Sequence, residues 1–141
     1  RSVTVEEKAM KILARNLPHK LPDSAQFHDP NTKALVLLQC HFSRKGISAD
    51  MRNDQKVVLS ESTNLIQAIV DVISSNGWLK PALAAMELSQ MVVQGLWNKD
   101  HILKQIPHFS KEIIERCDAY EGEEPIESVF DILTLDDDVR N

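Results

Sequence analysis

The residues of this chain that could carry chemistry are two cysteines, five histidines and scattered carboxylates. Cys40 is followed at once by His41, which by residue type is a nucleophile and a base. Neighbours in sequence point about 100° apart on a helix and do not face each other, so structural roles are favoured. The histidines form no HExxH motif and no i, i+4 pair, and Cys117 has no CxxC partner. The five are His19, His28, His41, His101 and His108. We therefore expect no catalytic residue and no metal site.

The sequence also lacks the motifs that bind nucleotides. No GxxxxGK[ST] phosphate loop occurs, and no GxGxxG follows a strand, since the chain has only four glycines. Carboxylates come together at Glu115, Asp118 and Glu121, but a solvated acidic surface explains them without catalysis. We expect no nucleotide cofactor within this chain.

One polar surface is predicted on the longest helix, along a line that carries hardly any charge. It consists of Ser60, Asn64, Gln67, Asp71 and Ser74, spaced three and four residues apart. Solvent-facing helix surfaces are usually rich in Lys and Glu. One interpretation is a semi-buried face against another domain; the other is a contact surface for a nucleic-acid strand or a protein partner.

Positive charge concentrates near the start of the same helix, at Arg44, Lys45, Arg52 and Lys56. As a solvated turn this patch needs no function; otherwise it could contact a phosphate backbone or an acidic partner. Trp78 and Trp97 could stack on bases, although burial among helices is the more common fate of tryptophan.

The composition favours a single, intracellular, all-α protein fragment. The chain has 141 residues, 43% hydrophobic, with a net charge of −5 and 5% aromatic residues. Two distant cysteines indicate reduced thiols, and neither a signal peptide nor an apolar run near 20 residues is apparent. We expect no membrane association. The Arg1-Ser2 start and the acidic end at Asp136–Asp138 suggest an excised piece.

The periodicity predicts helices with identifiable ends. A short first helix stops near Leu17-Pro18, and Asp29-Pro30 starts a second that runs to about Arg44, with Gly46 as its C-cap. Ser48 caps a rod of about 27 residues and about 40 Å that ends at Asn76-Gly77. Its buried stripe is predicted at Met51, Gln55, Val58, Ser62, Leu65, Ile69 and Val72.

The rest of the chain continues the helical pattern. A fourth helix opens at Pro81, Asp100 caps a brief helix, and Ser110 caps another. The turn-forming stretch 121–125 predicts a boundary, with a helical bundle over 1–121 and the start of a helix-loop-helix unit over 122–141. We expect the last apolar helix, from Ile126, to have little to pack against within this chain.

Three segments resemble one known family. Residues 37–44, 70–79 and 105–109 read LLQCHFSR, VDVISSNGWL and QIPHF. They are similar to blocks in the helical bundle of Ski-two-like superfamily-two helicases, part of a Sec-sixty-three-type unit, and most similar to the C-terminal cassette of a spliceosomal member. The resemblance covers about residues 17–131.

The resemblance implies a place in a larger protein. In this family the bundle follows two RecA-like domains, which bind ATP and Mg, and a long ratchet helix crosses single-stranded RNA. Here that helix would be about 49–75. The implied partners are the other domains of the parent helicase, spliceosomal proteins and single-stranded RNA, and the implied location is the nucleus. The same unit occurs in a translocation protein of the endoplasmic reticulum, so a cytosolic domain of that homologue is a further alternative.

One departure from the family bears on function. Active cassettes tend to carry arginines on the strand-facing side of the ratchet helix, where this chain has Asn64, Gln67 and Asp71. Amides grip RNA weakly and a carboxylate repels phosphates. Our first hypothesis is a non-catalytic structural, regulatory and protein-interaction domain. The alternative is a working RNA ratchet that uses Asn64, Gln67 and Ser74 together with the four cations.

Overall fold

The computed structural model describes residues 3–120 and 126–135, and the regular structure in them is helical. The described segments form two compact units, one up to Asn98 and one from Lys99 onward. The elements are α1 (Val3–Arg15), α2 (Pro30–Phe42), α3 (Ala49–Ser75), α4 (Leu79–Gln94), a 3-10 turn (Ile102–Gln105), α5 (Lys111–Asp118) and α6 (Val129–Thr134). The predicted all-α fold is confirmed.

Three predicted helix starts are confirmed by their capping hydrogen bonds. The carboxylate of Asp29 accepts from the backbone N–H of Asn31, and Pro30 occupies the first helical position. The hydroxyls of Ser48 and Ser110 accept from backbone N–H groups three residues later. Each cap satisfies one of the amide groups that a helix start leaves without a partner.

Two other predicted caps are wrong. Helix α2 ends at Phe42 with Ser43 as its C-cap, and the left-handed residue that follows is Arg44, at φ 49°, rather than Gly46. The Lys45 N–H bonds to the Cys40 carbonyl and the Arg44 N–H to the His41 carbonyl, which is a Schellman motif without glycine. The 3-10 turn is capped by the His101 ring, which accepts from the Leu103 N–H, whereas the Asp100 carboxylate accepts from the Lys104 ammonium.

The core of the first unit begins where α1 and α2 pack together against the start of α3. Met10, Val36, Leu37 and Cys40 are fully buried there, and Met51 of α3 joins them. The Lys33 ammonium on α2 bonds to Glu6 on α1 and, at 2.6 Å, to Asp54 on α3. One cation therefore links three helices at the edge of this core.

Helices α3 and α4 form a hairpin that extends the core. Gly77, at φ 69°, closes α3, as the sequence predicted. On α4 the small or short residues Ala82, Ala85 and Ser89 lie on the buried or half-buried side, in line with Val92. Small side chains let two helices approach closely, which explains how α4 lies along α3.

The predicted buried stripe of α3 is correct in its first half and wrong in its second. Met51 is buried and Gln55, Val58 and Ser62 are half-buried, but Leu65 and Val72 are 62% and 61% exposed and Ile69 is 40% exposed. The side chains turned inward are instead Ile66, Val70 and Ile73. Two apolar stripes run side by side here, and the position of α4 decides which one is covered.

Helix α4 is likewise covered on part of its surface. Val92 is buried, while Leu83, Met86 and Val93 are exposed by about half or more. The helix has apolar side chains on most of its circumference, but α2 and α3 cover only one side of it.

The second unit has its own core. Ile126 is buried and shares a cluster with Leu103 and Ile114, so the expectation that the last segment has little to pack against is wrong. Helix α6 starts with a capping box of Ser128 and Asp131. The predicted boundary at 121–122 lies outside the described residues, and the two-domain division stays a prediction.

By length and composition alone, α3 is apolar enough to cross a membrane, which differs from the expectation of no such run. Within the described residues, 6% of its apolar window is buried, and one such helix is weak evidence for a span.

Candidate interaction surface

The predicted polar face of α3 lies in solvent. Ser60, Asn64, Gln67, Asp71 and Ser74 are all exposed, and α3 runs unbroken through them. The Gln67 amide donates to the Asp71 carboxylate at 3.0 Å. This bond holds two of the five side chains against each other along the helix.

The charge of this face follows from the residue types of α3. Residues 57–79 contain no Lys or Arg, and their charged residues are Glu61 and Asp71. Both are exposed. Phosphate contacts depend on Lys and Arg, which release condensed counterions from nucleic acid. The greater part of α3 thus offers hydroxyls, amides and carboxylates to a partner.

The predicted basic patch divides into two pairs. The Arg44 guanidinium donates to the carbonyls of Gly95 and Gln94 at 3.2 and 3.4 Å, at the C-terminal end of α4. The Lys45 ammonium donates to the Asn16 carbonyl after α1. Carbonyl groups at helix ends attract cations. Arg44 and Lys45 therefore join elements of the fold.

The second pair remains on the surface. Arg52 and Lys56 are exposed, and their i, i+4 spacing puts them on one side of α3. They lie in its first two turns, before the segment that lacks basic residues. These are the cations of the patch that are placed to meet an external partner.

The segment around Cys40 and His41 connects α2 to the end of α4. The His41 ring donates through Nε2 to the Val92 carbonyl at 2.7 Å. Cys40 is fully buried, and burial raises the pKa of its thiol. A buried, protonated thiol beside an engaged imidazole favours structural roles for both residues.

The two tryptophans differ in environment. Trp97 is half-buried, with its indole N–H bonded to the Ser43 hydroxyl at 3.0 Å and its ring 5.1 Å from the rings of Phe42 and His19. Trp78 is 58% exposed, so the expectation of burial is wrong for it. Trp78 belongs to the short connection between α3 and α4, which leaves its ring uncovered.

In the described segments, no group of three or more His, Cys, Asp and Glu side chains comes together that could hold a metal ion. His101 pairs with Asp118 at 3.1 Å within the second unit. This pair supports the capped 3-10 turn.

The sequence interpretation missed an exposed apolar surface. Leu65 and Ile69 of α3 and Leu88 of α4 are exposed, and together with α2 they line one groove. The sequence signal for this surface was the presence of two neighbouring apolar stripes on α3. One packed helix cannot cover both stripes, so one of them stays exposed.

Comparison with known proteins places this architecture in a family. The model of the "Sec63 Brl domain" matches residues 4–135, nearly the full chain. The match includes the exposed α3 face, the α3–α4 hairpin and the capped α6, so the features described above belong to the matched region.

Three relatives illustrate the similarity. The U5 small nuclear ribonucleoprotein 200 kDa helicase of Homo sapiens is 51% identical over 136 residues, 96% of this chain and 6% of the human protein. The activating signal cointegrator 1 complex subunit 3-like protein of Dictyostelium discoideum is 53% identical, covering 96% of this chain and 6% of that protein. The DExH-box ATP-dependent RNA helicase DExH12 of Arabidopsis thaliana is 53% identical over 112 residues, 79% of this chain and 5% of the plant protein.

These relatives are far longer than the chain, which spans only 5–6% of their length. The match to the family model nevertheless covers the chain almost from end to end. The chain belongs to the Sec63 Brl domain family.

Proposed function

We propose that this chain is a non-catalytic domain of a spliceosomal RNA helicase, where it acts as a structural, regulatory and protein-interaction module. The observation that carries the proposal is the exposed face of α3, on which no basic residue follows Lys56. A strand-gripping surface needs guanidinium or ammonium groups, whereas a protein partner can use hydroxyls, amides and carboxylates.

Two further features support the proposal. The net charge of −5 opposes sequence-independent RNA binding, and Arg44 and Lys45 are bonded to carbonyls inside the fold. The names of the relatives, which include a small nuclear ribonucleoprotein helicase, support a spliceosomal and nuclear setting. ATP and Mg would then bind in RecA-like domains outside this chain.

The test is RNA affinity measured by fluorescence anisotropy with a labelled single-stranded oligonucleotide at physiological salt. We expect the chain to bind more weakly than about 1 µM, in the range of non-specific contacts. A submicromolar dissociation constant would contradict the proposal.

A charge-gain variant makes this test specific to α3. The double variant Asn64→Arg, Gln67→Arg should tighten RNA binding at least about tenfold if missing positive charge is what keeps this face from binding RNA. Ala84→Arg with Gln90→Arg adds the same charge at exposed positions of α4 and is the matched control. Equal gains in both variants would show a general charge effect and no role for the α3 face.

The alternative of a working RNA ratchet is favoured by one observation, the exposed pair Arg52 and Lys56 at the start of α3. Crosslinking of RNA to Arg52, Lys56, Asn64 or Ser74 in the assembled helicase would support it. Absence of crosslinks there would support the interaction module. The translocation alternative predicts membrane spans or a J-domain in the sequence preceding Arg1, where a helicase would have RecA motifs.

A further inference from the structure

An apolar groove lies on the first unit, on the side of α3 opposite its polar face. It has a volume of about 450 Å³ and is lined by α2, α3, α4, Trp97 and the segment after α1. Helix α3 contributes Ser62, Leu65, Ile66 and Ile69. At 3.6 residues per turn these positions point away from Asn64 and Gln67. A partner in this groove would leave the polar face free.

The lining is apolar because its deeper polar groups are already bonded. The Gln39 amide donates to the His19 carbonyl at 3.1 Å and accepts from the His19 N–H at 3.0 Å. The Trp97 indole N–H is bonded to Ser43. Ser62 adds one half-buried hydroxyl. A ligand that needs several hydrogen bonds would lose its bonds to water here without replacement.

The apolar lining determines which kind of polypeptide segment can bind in the groove. An extended peptide keeps its backbone N–H and C=O groups available and requires a strand edge, which α2, α3 and α4 do not offer. An α-helix satisfies its own backbone and presents only side chains. The volume suits the apolar anchors of an amphipathic helix at i, i+3 or i+4 and i+7.

The charge at the groove specifies one further feature. Among the described residues that line it, Lys20 is the one with a full charge, and it is exposed. An acidic side chain near one end of the bound helix would complement it. A second copy of this chain fits poorly, because two grooves facing each other across a two-fold axis would present concave surfaces to each other.

We propose that this groove binds an amphipathic α-helix of a partner protein, with apolar side chains on one face and an acidic residue beside Lys20. This assignment names a partner class for the interaction module proposed above and rests on that function. RNA affinity tests the proposed function of the polar face of α3, and helix binding tests the groove. Either proposal can therefore be contradicted while the other is supported.

The experiment uses a designed probe, a labelled 18-residue helical peptide with leucines at i, i+3, i+7 and i+10 and a glutamate at one end. A control peptide has the same composition with the leucine spacing scrambled. We expect saturable binding of the first peptide, measured by anisotropy, and at least about tenfold weaker binding of the scrambled one. No binding, or equal binding of both peptides, would overturn the proposal.

Matched variants locate the site. Leu65 and Val57 are each 62% exposed on α3, but only Leu65 lines the groove. Leu65→Asp should weaken peptide binding at least about tenfold, because it places a carboxylate against apolar side chains, while Val57→Asp should leave the affinity unchanged. Equal effects would count against the groove. Lys20→Glu should reverse the preference from a glutamate-bearing to a lysine-bearing peptide.

Two further outcomes concern other occupants. If the chain alone dimerises with increasing concentration and Leu65→Asp abolishes the dimer, the groove binds a second copy and the proposal fails. If the peptide binds the isolated chain but not the intact helicase, the parent's own polypeptide fills the groove and the assignment to a partner fails.

Discussion

At the scale of single residues, one buried amide connects two parts of the first unit. Gln39 is 4% exposed, and its side chain bonds to both backbone groups of His19, twenty residues earlier in the chain. The segment after α1 has no helix of its own at His19. Its backbone polar groups are satisfied by this amide, as a chain packed against a helix requires.

Removing that amide should destabilise the chain. Gln39→Ala leaves the His19 N–H and C=O without partners beside α2, and we expect a loss of about 2 kcal/mol in the free energy of unfolding. Urea denaturation monitored by circular dichroism measures it. Gln90→Ala, at an exposed site of α4, is the control and should change stability by less than about 0.5 kcal/mol. Equal effects would contradict the role of Gln39.

The cap of α6 predicts a pH dependence. The Ser128 hydroxyl, its backbone N–H and the Glu127 N–H all donate to the Asp131 carboxylate and lower its pKa below the ordinary 3.8. A lowered folded-state pKa means that the stabilisation is present above pH 3.8 and is lost as the pH falls through the folded pKa. We expect an NMR titration of Asp131 with its midpoint below 3.8.

The Ser128→Ala variant provides the comparison for that titration. It removes the hydroxyl that contributes most to the shift, so the pKa of Asp131 should move back toward its ordinary value. An unchanged midpoint would show that the hydroxyl bond does not control this carboxylate.

At the scale of elements, the helix ends decide how α2, α3 and α4 are joined. The end of α2 bonds to the end of α4 through His41 and Arg44, and Gly95 turns the chain there at φ 62°. A Cβ at Gly95 would lie 3.1 Å from the His41 ring, which its bond to the Val92 carbonyl holds in place. The close approach of two helix ends therefore depends on this glycine.

Three Gly→Ala variants should differ in a defined order. Gly46 has neither a positive φ nor a neighbour within 4 Å, so alanine there should be neutral or stabilising by up to about 1 kcal/mol. Gly77→Ala should cost about 1 kcal/mol through its left-handed backbone alone. Gly95→Ala should cost about 2–3 kcal/mol because the His41 contact adds to that strain. Thermal denaturation gives the ranking, and a Gly77 loss exceeding the Gly95 loss would contradict it.

At the scale of the whole molecule, each cluster of buried residues belongs to one of the two units. Two of them consist of residues before Asn98, and the third consists of residues after Lys99. Each unit therefore has a hydrophobic core of its own, which is what independent folding requires.

We expect residues 1–98 to fold alone. The fragment should show cooperative thermal unfolding by circular dichroism, because it retains both of its buried clusters. In the full chain, Ile114→Asp should disrupt the third cluster and leave the hydrogen-exchange protection of α3 and α4 intact. A fragment without a cooperative transition, or loss of protection in α3, would show that the first unit needs the second.

The sequence by itself determined the helical elements, most of their ends and the family. Caps such as Asp29-Pro30, Ser48 and Gly77 act within a few residues, so local chemistry suffices to predict them. The exposed polar line on α3 was predictable for a similar reason. Its residues are the ones for which burial would be most costly.

Only the tertiary structure decided which apolar residues are covered and which cations are free. Leu65 and Ile66 are both large aliphatic residues, but the position of α4 buries Ile66 and leaves Leu65 exposed. Arg44 and Arg52 have the same charge, but only Arg44 lies near the carbonyls that end α4. Periodicity describes one helix at a time, whereas burial and hydrogen-bond partners depend on elements that are distant in sequence.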